Sequence, residues 1–334
     1  MKKNGLSRRD FLKKAAFTIG AVTLADYTSI AGGLNFNQNK SPVFFTPVIS
    51  YQSLLNIYSK VSERKNLPGK TAVKLHSGEP GGHYYPKPYL IEDLVQSLNG
   101  TIVECNTAYP GERSNTESHK QVFKDHGFNA IAPVEILDED GSVKLEVPRG
   151  KHIKENYVGA GFSNYNSFLI LSHFKGHAMA GFGGAIKNTS IGIASVEGKM
   201  WIHTAGLTKD VDDFELCFET EQNRFLESMA EASLSIESAL SGNLLYINLM
   251  NNLSVDCDCD NDPAPPEMSD IGILASRDPV ALDKACVDLI YEADKERSAS
   301  LRERFEEKNG KHVLDYAESI GLGSKAYELV LLDD

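Results

Sequence analysis

The chain has 334 residues, 41% of them hydrophobic, enough for one large α/β domain or two modest subdomains with a proper core. Its formal net charge of -12 argues against nucleic acid or an anionic membrane surface as a partner. Beyond the N-terminal leader no segment has the ~18–20 uninterrupted apolar residues needed to span a bilayer, so the mature protein is expected to be soluble.

The leader, residues 1–33, has a basic start, then Arg8-Arg9 followed by Asp10-Phe11-Leu12-Lys13, then a short stretch rich in Ala, Gly and Thr. That order reads as a twin-arginine export signal, which makes the export machinery a partner and an extracytoplasmic, for instance periplasmic, compartment the destination. The route carries folded proteins and is often used when a cofactor is inserted before export. Cys105, Cys217, Cys257, Cys259 and Cys286 are an odd number for an oxidising compartment, so they are not simply a disulfide framework.

Residues 34–47 read as a polar linker, and residues 48–334 as an α/β domain. An amphipathic helix near Tyr51 precedes the strand TAVKLH (71–76) and the Gly/Pro-rich loop SGEPGGHYYPKP. A helix from about Tyr89 leads to the strand TIVEC (101–105). A second helix runs through His119 to His126, with Ser114 or Asn115 as its cap and Gly127 as its stop. Residues 134–158 read as a hairpin-like excursion. The apolar run NSFLILSHF is a buried strand ending in a glycine-rich turn, residues 208–241 are helical in pattern, and 244–251 and 270–276 are strands. Asp278-Pro279 marks a helix start, and YELVLL (327–332) is a closing strand. The expected architecture is a mostly parallel or mixed sheet flanked by helices, with site loops at the strand C-terminal ends.

The stretch SHFKGHAMAGFGGAIKN, Ser172 to Asn188, is the expected site, because a strand ending in glycines and convergent polar groups is where α/β proteins place chemistry. A dinucleotide fingerprint from Gly181 fails at Ile186, a phosphate loop fails there and at Asn188, and a zinc-protease helix fails at Phe174. What remains is His173, His177, Lys187 ten residues on, and His203 sixteen beyond that. Neutral imidazoles suit nickel, iron or zinc, and Lys187 could anchor a cofactor, bind an anionic substrate or act as a base. The turn glycines Gly181, Gly183 and Gly184 would let a bound cofactor approach the backbone. Alternatively, they form a nest of N–H groups for phosphate, with Lys187 and Arg113 as counter-charges and no metal.

The loop VDCDCDNDPAPP, residues 255–266, carries Cys257 and Cys259 among carboxylates, and is a metal-binding loop, a redox thiol pair for a partner protein, or a solvated turn. Arg113 is a substrate-carboxylate ligand or a loop-fixing donor. Cys105, Cys217 and Cys286 read as buried small hydrophobes. The loops 76–87, 106–119, 173–188 and 254–266 all leave strand ends, so they can converge on one pocket.

From Ala72 to Ile290 the chain resembles the family called domain of unknown function 362. The segments concerned are KLHSGEPGG, NTAYPGERSNTESH, Gly127-Phe128, SHFKGHAMAGFGGAIKN, Gly198-Lys199 and DCDCDNDPAPPEMSDIGILASRDPVALDKACVDL. Members often carry a ferredoxin module after the position of His203. Here residues 204–243 hold one cysteine, Cys217, so no iron–sulfur cluster is expected within this chain. The spacing His177, Ala180-Gly181-Phe182, Gly184, Lys187 and His203 also resembles nickel-pincer lactate racemases. That likeness implies Lys187 as cofactor anchor, His203 as metal ligand, His177 as proton carrier and His119 as a second acid/base. The implied reaction is isomerisation or oxidoreduction of a small hydroxy acid.

Overall fold

Ser167–His173 (β7) and Leu244–Met250 (β10) are buried along their whole length and lie side by side in parallel in an eight-stranded sheet. Side chains alternate between the faces of a strand. Phe168 and Ile170 therefore join one apolar core with Leu244 and Tyr246, while Leu169 and Leu171 join a second with Leu245 and Leu249. A strand apolar on both faces needs helices on both sides of its sheet.

The computed structural model describes residues 40–63 and 67–332; the arginine pair and the leader lie outside them. The sheet order is Tyr327–Leu331 (β12), Ser41–Thr46 (β1), Gly272–Ser276 (β11), β10, β7, Thr71–Lys74 (β2), Thr101–Glu104 (β3) and Val134–Ile136 (β4). β11 is antiparallel to both neighbours and the other pairings are parallel, so this is a mixed, mostly parallel sheet in an α/β fold. Helices Tyr51–Val61 (α1), Pro88–Ser97 (α2) and Thr116–Asp125 (α3) cover one face through Leu54, Ile91 and Phe123. Next in the chain come Ala185–Ile193 (α4), Val196–His203 (α5), Leu216–Glu219 (α6), Gln222–Leu240 (α7), Pro279–Glu292 (α8), Ala299–Glu307 (α9) and His312–Ser319 (α10). Residues of α4, α7, α8, α9 and α10 build the core on the other face.

The helix starts follow local chemistry. Asn115 Oδ1 accepts the Ser118 N–H at 3.1 Å, and Asp278 Oδ1 accepts those of Val280 and Ala281 at 2.9 and 3.0 Å, with Pro279 as first residue of α8. Among the described residues no helix is long and apolar enough to cross a membrane.

Three boundaries differ from the sequence reading. The linker ends before Ser41, because Val43 to Phe45 are buried in β1, whose partners β11 and β12 come from the far end of the chain. The excursion 134–158 is divided: β4 extends the main sheet, and only Ser142–Glu146 (β5) and Glu155–Gly159 (β6) form a separate antiparallel pair. The long helix begins at Gln222, capped by Glu221, after a segment of short turns and the four-residue α6.

Candidate metal and anion site

The parallel strands β4, β3, β2, β7 and β10 are consecutive in the sheet, so their C-terminal ends share one edge, where open α/β sheets hold ligands. The loops leaving β2, β3, β7 and β10 bring His76, Arg113, Lys175 and Cys259 to a single cavity of about 320 Å3.

Past β7 the chain folds into a small hairpin, Lys175–His177 (β8) against Gly181–Gly183 (β9). The cysteine loop presses onto β8: the Gly176 N–H donates to Ser254 O at 2.9 Å, and a Cβ on Gly176 would stand 2.0 Å from the Val255 carbonyl oxygen. Only glycine permits that approach. His173 braces the same loop, its Nδ1 lying 2.8 Å from Asp258 Oδ2 and its Nε2 2.6 Å from Asn251 O. Lys175 Nζ also meets Asp258 Oδ2, at 3.3 Å. Burial would raise the Asp258 carboxyl, but the charges of His173 and Lys175 overcome it and hold the group well below its ordinary range.

The loop delivers two sulfurs to His177. Donor atoms of His177, Cys257 and Cys259 all lie within 4.8 Å of one another, a set that could hold a metal ion. His177 Nδ1 accepts the N–H groups of Met179 and Ala180 at 3.1 and 3.0 Å, so the neutral ring carries its proton on Nε2, 3.9 Å from Cys259 Sγ. Burial, then the charge of Lys187, push the His177 pKa down to about 4. Burial would raise the Cys257 thiol, but a hydrogen bond from Cys259 and the charges of Lys175 and His177 hold it well below the usual thiol range. Cys259, which donates that bond, is pushed up by it and by burial. The Cys259 backbone N–H also donates to Cys257 Sγ at 3.3 Å.

The cavity wall is cationic. Lys74, Arg113, Lys175, Lys187 and Lys199 line it, and Glu104 is the lining carboxylate. Lys74 Nζ donates to Leu75 O at 2.6 Å and to Asn188 Oδ1 at 3.0 Å, and Lys199 Nζ to Ala194 O at 2.5 Å. Among the described residues the Lys187 amino group has no hydrogen-bond or ion-pair partner. Burial, with the neighbouring charges of Lys175 and Lys199, lowers its pKa against the opposing pull of Cys257 and Cys259.

The other expected site residues are distributed unevenly. His203 lines the cavity but stands outside the three-donor cluster. Its Nδ1–H donates to Lys199 O at 2.7 Å, leaving Nε2 as the unprotonated nitrogen, and burial pushes its pKa down to about 3. Arg113 also lines the cavity, paired with Glu79 at 2.9 Å and Glu104 at 3.5 Å, which is the loop-fixing arrangement. His119 does not reach the cavity: fully buried, it meets Glu104 Oε2 through Nε2 and Asn106 Oδ1 through Nδ1, both at 3.2 Å, so both ring nitrogens are already engaged.

Of the turn glycines, Gly183 and Gly184 line the cavity, while Gly181, at φ +80°, packs against Gly310. No open anion nest forms at the start of α4. The Asp283 carboxylate takes the N–H groups of Ala185 and Ile186 at 2.7 and 2.9 Å, so an internal anion fills that position. Cys105, Cys217 and Cys286 are buried, as expected of small hydrophobes.

Sequence reasoning passed over Lys74, Glu104, Lys175, Asp258 and Asp283. For Lys74, Glu104 and Asp283 the available signal was a charged residue inside an otherwise apolar strand or helix, which requires a partner; Lys175 and Asp258, in a short polar strand and a polar loop, carry no such signal.

A family model described as "Domain of unknown function (DUF362)" matches residues 71–288. Among solved structures, the lactate racemase apoprotein from Thermoanaerobacterium thermosaccharolyticum is similar over 78% of this chain and 59% of its own, at 12% identity and a TM-score of 0.41. A protein from Thermotoga maritima is similar over 72% of this chain and 59% of its own, at 14% identity and a TM-score of 0.36. The chain thus spans 59% of the length of each. No curated protein matches it.

Proposed function

The chain belongs to the family of domain of unknown function 362, and from the geometry of its site we propose that it binds a thiophilic metal ion beside a pocket for a small organic anion. The observation that carries this is the placement of three soft or borderline donors within 4.8 Å, with Cys259 and His177 lining a cavity whose other polar walls are mostly cationic. Two thiolates and an imidazole suit zinc, nickel or iron. Cys257 and Cys259 ligate as thiolates and so must lose their protons as the metal enters, while His177 serves as a neutral imidazole through an unprotonated ring nitrogen. Uptake should therefore release protons and weaken as pH falls.

When bound, the metal supplies Lewis acidity or a redox centre at the cavity wall. This chain's own residues do the rest. Lys187 offers its unpartnered ammonium to the carboxylate. His203 presents an unprotonated Nε2 to a hydroxyl, and an anion beside it raises its low pKa toward proton acceptance. Proton or hydride transfer on a small hydroxy acid, hence an isomerase or oxidoreductase, is the reaction class this suits.

The test is elemental analysis of the full chain beside the Cys257→Ser/Cys259→Ser variant. We expect about one metal ion per wild-type chain and none in a folded variant. Equal metal in both would overturn the reading. A metal-free, folded wild type with the two thiols recovered as a disulfide would move the site to thiol exchange with a redox partner protein.

Export by the twin-arginine route, read from Arg8 and Arg9, belongs to the same proposal. An Arg8→Lys/Arg9→Lys variant should stay in the cytoplasm; undiminished export of that variant would refute it.

A further inference from the structure

The cavity is built from two kinds of wall. On the sheet side, Lys175 and Lys187 approach across Gly183, where a Cβ would lie 3.4 Å from Lys175 Nζ and 3.9 Å from Lys187 Cδ. The segment from Met200 to Phe218 contributes His203 and the less polar side chains Met200, Phe214, Cys217 and Phe218. Phe214 and Phe218 meet edge to face with ring centres 5.6 Å apart, and Cys217 Sγ lies 3.9 Å from Met200 Sδ. The same segment carries Asp210, Asp212, Asp213 and Glu215, yet none of these lines the cavity. Its acidic side chains are therefore kept off the pocket, and Met200, Phe214, Cys217 and Phe218 are turned to it.

That apolar wall continues to the surface. Phe218 lines the cavity while 68% exposed, and Leu207 and Val211 on the same stretch are 68% and 42% exposed. Three of the seven exposed large hydrophobic residues among those described fall between residues 207 and 218, and one of them, Phe218, lines the cationic pocket itself. Scattered apolar residues on a surface are ordinary, but an exposed aromatic side chain that also lines a cavity, packed on a second lining aromatic, marks a binding site. A short hydroxy acid would engage the cations and leave this aromatic wall in water.

We propose that the ligand is an amphiphilic organic monoanion, a carboxylate seated at Lys187 with a hydrocarbon or aromatic tail lying along Phe214 and Phe218. The inference rests on the anion-pocket part of the function proposed above and is independent of the metal.

The experiment is calorimetric titration of the chelator-treated full chain with straight-chain carboxylates from propanoate to decanoate, and with alkyl amines of matching length. Affinity should rise roughly fourfold per added methylene until the wall is covered, and the amines should not bind. Lys187→Gln should weaken the whole series roughly tenfold or more, and Phe218→Ser should flatten its dependence on chain length. Binding that is independent of chain length would overturn the amphiphile and leave the anion pocket standing. Binding that ignores Lys187→Gln, or that amines share, would overturn the pocket as well, as would the absence of any binding. None of these outcomes bears on metal content, which the cysteine variant tests separately.

Discussion

Glu104→Gln should cost about 3–5 kcal/mol of stability, enough to unfold a protein of ordinary margin. Glu104 is buried at the end of β3, where its Oε2 accepts the Ser77 N–H at 3.0 Å and the Ser77 hydroxyl at 2.6 Å and meets His119 Nε2 at 3.2 Å. Its Oε1 stands 3.5 Å from both Lys74 Nζ and Arg113 Nη2. The amide keeps the shape and removes the charge, leaving cations enclosed without their shared counter-ion. Arg113 retains Glu79, but Lys74 is left with a backbone carbonyl and the Asn188 side chain. Burial already draws the Lys74 pKa down to about 8 against the pull of Glu104. Without that pull it falls further, so the part of the loss carried by Lys74 is full while the lysine is protonated in both proteins and fades as pH rises to 8, where wild-type Lys74 sheds its proton. Urea denaturation of both proteins at pH 7 and pH 9 checks this. A loss under about 1 kcal/mol at pH 7 would mean the buried charges are solvated in some other way.

The same residues show how far sequence reading reaches. β7, the glycine turn and the start of α8 were legible because each is announced locally, by an apolar run, a breaker, or Asp278 before Pro279. The convergence of four loops was legible too, since it follows from strands running parallel. Pairing across strands was not. TAVKLH and TIVEC each display one charge in an apolar run, but only the pairing of β2 with β3, which sets Lys74 beside Val103, brings its amino group to 3.5 Å from the Glu104 carboxylate. His119 is the reverse case: the resemblance implied an acid/base role, while the structure buries it with Glu104 and Asn106 at its two ring nitrogens. The tautomers of His177 and His203 depend on backbone groups of the turn and of α5, so residue types alone could not distinguish the ring with a free Nε2 from the ring with a proton there.

Asp283 lies outside the four loops that form the site and yet bears on it directly, because it holds the first turn of α4, the helix that carries Lys187. Its carboxylate accepts the Ala185 and Ile186 N–H groups and the Asn248 side-chain amide at 2.8 Å, while buried among apolar neighbours. Three donors at a helix N-terminus favour the anion, burial disfavours it, and burial wins: the pKa is raised from 3.8 to about 6. A folded-state carboxyl pKa above the unfolded one means the native state binds more protons between those values. Stability from this group is therefore complete below about pH 4 and lost as pH rises through 6, by about 3 kcal/mol for a shift of about two units. Glu104 and Asp258, whose folded-state pKa values are lowered, act in the opposite sense, so the difference between wild type and Asp283→Asn is the quantity to follow. The amide cannot ionise, so the wild-type stability minus that of the variant should fall between pH 4 and pH 7 by roughly that amount. A difference that stays constant or grows over this range would show that the three N–H donors outweigh burial, and that α4 is held by a permanent anion at every pH where the protein folds.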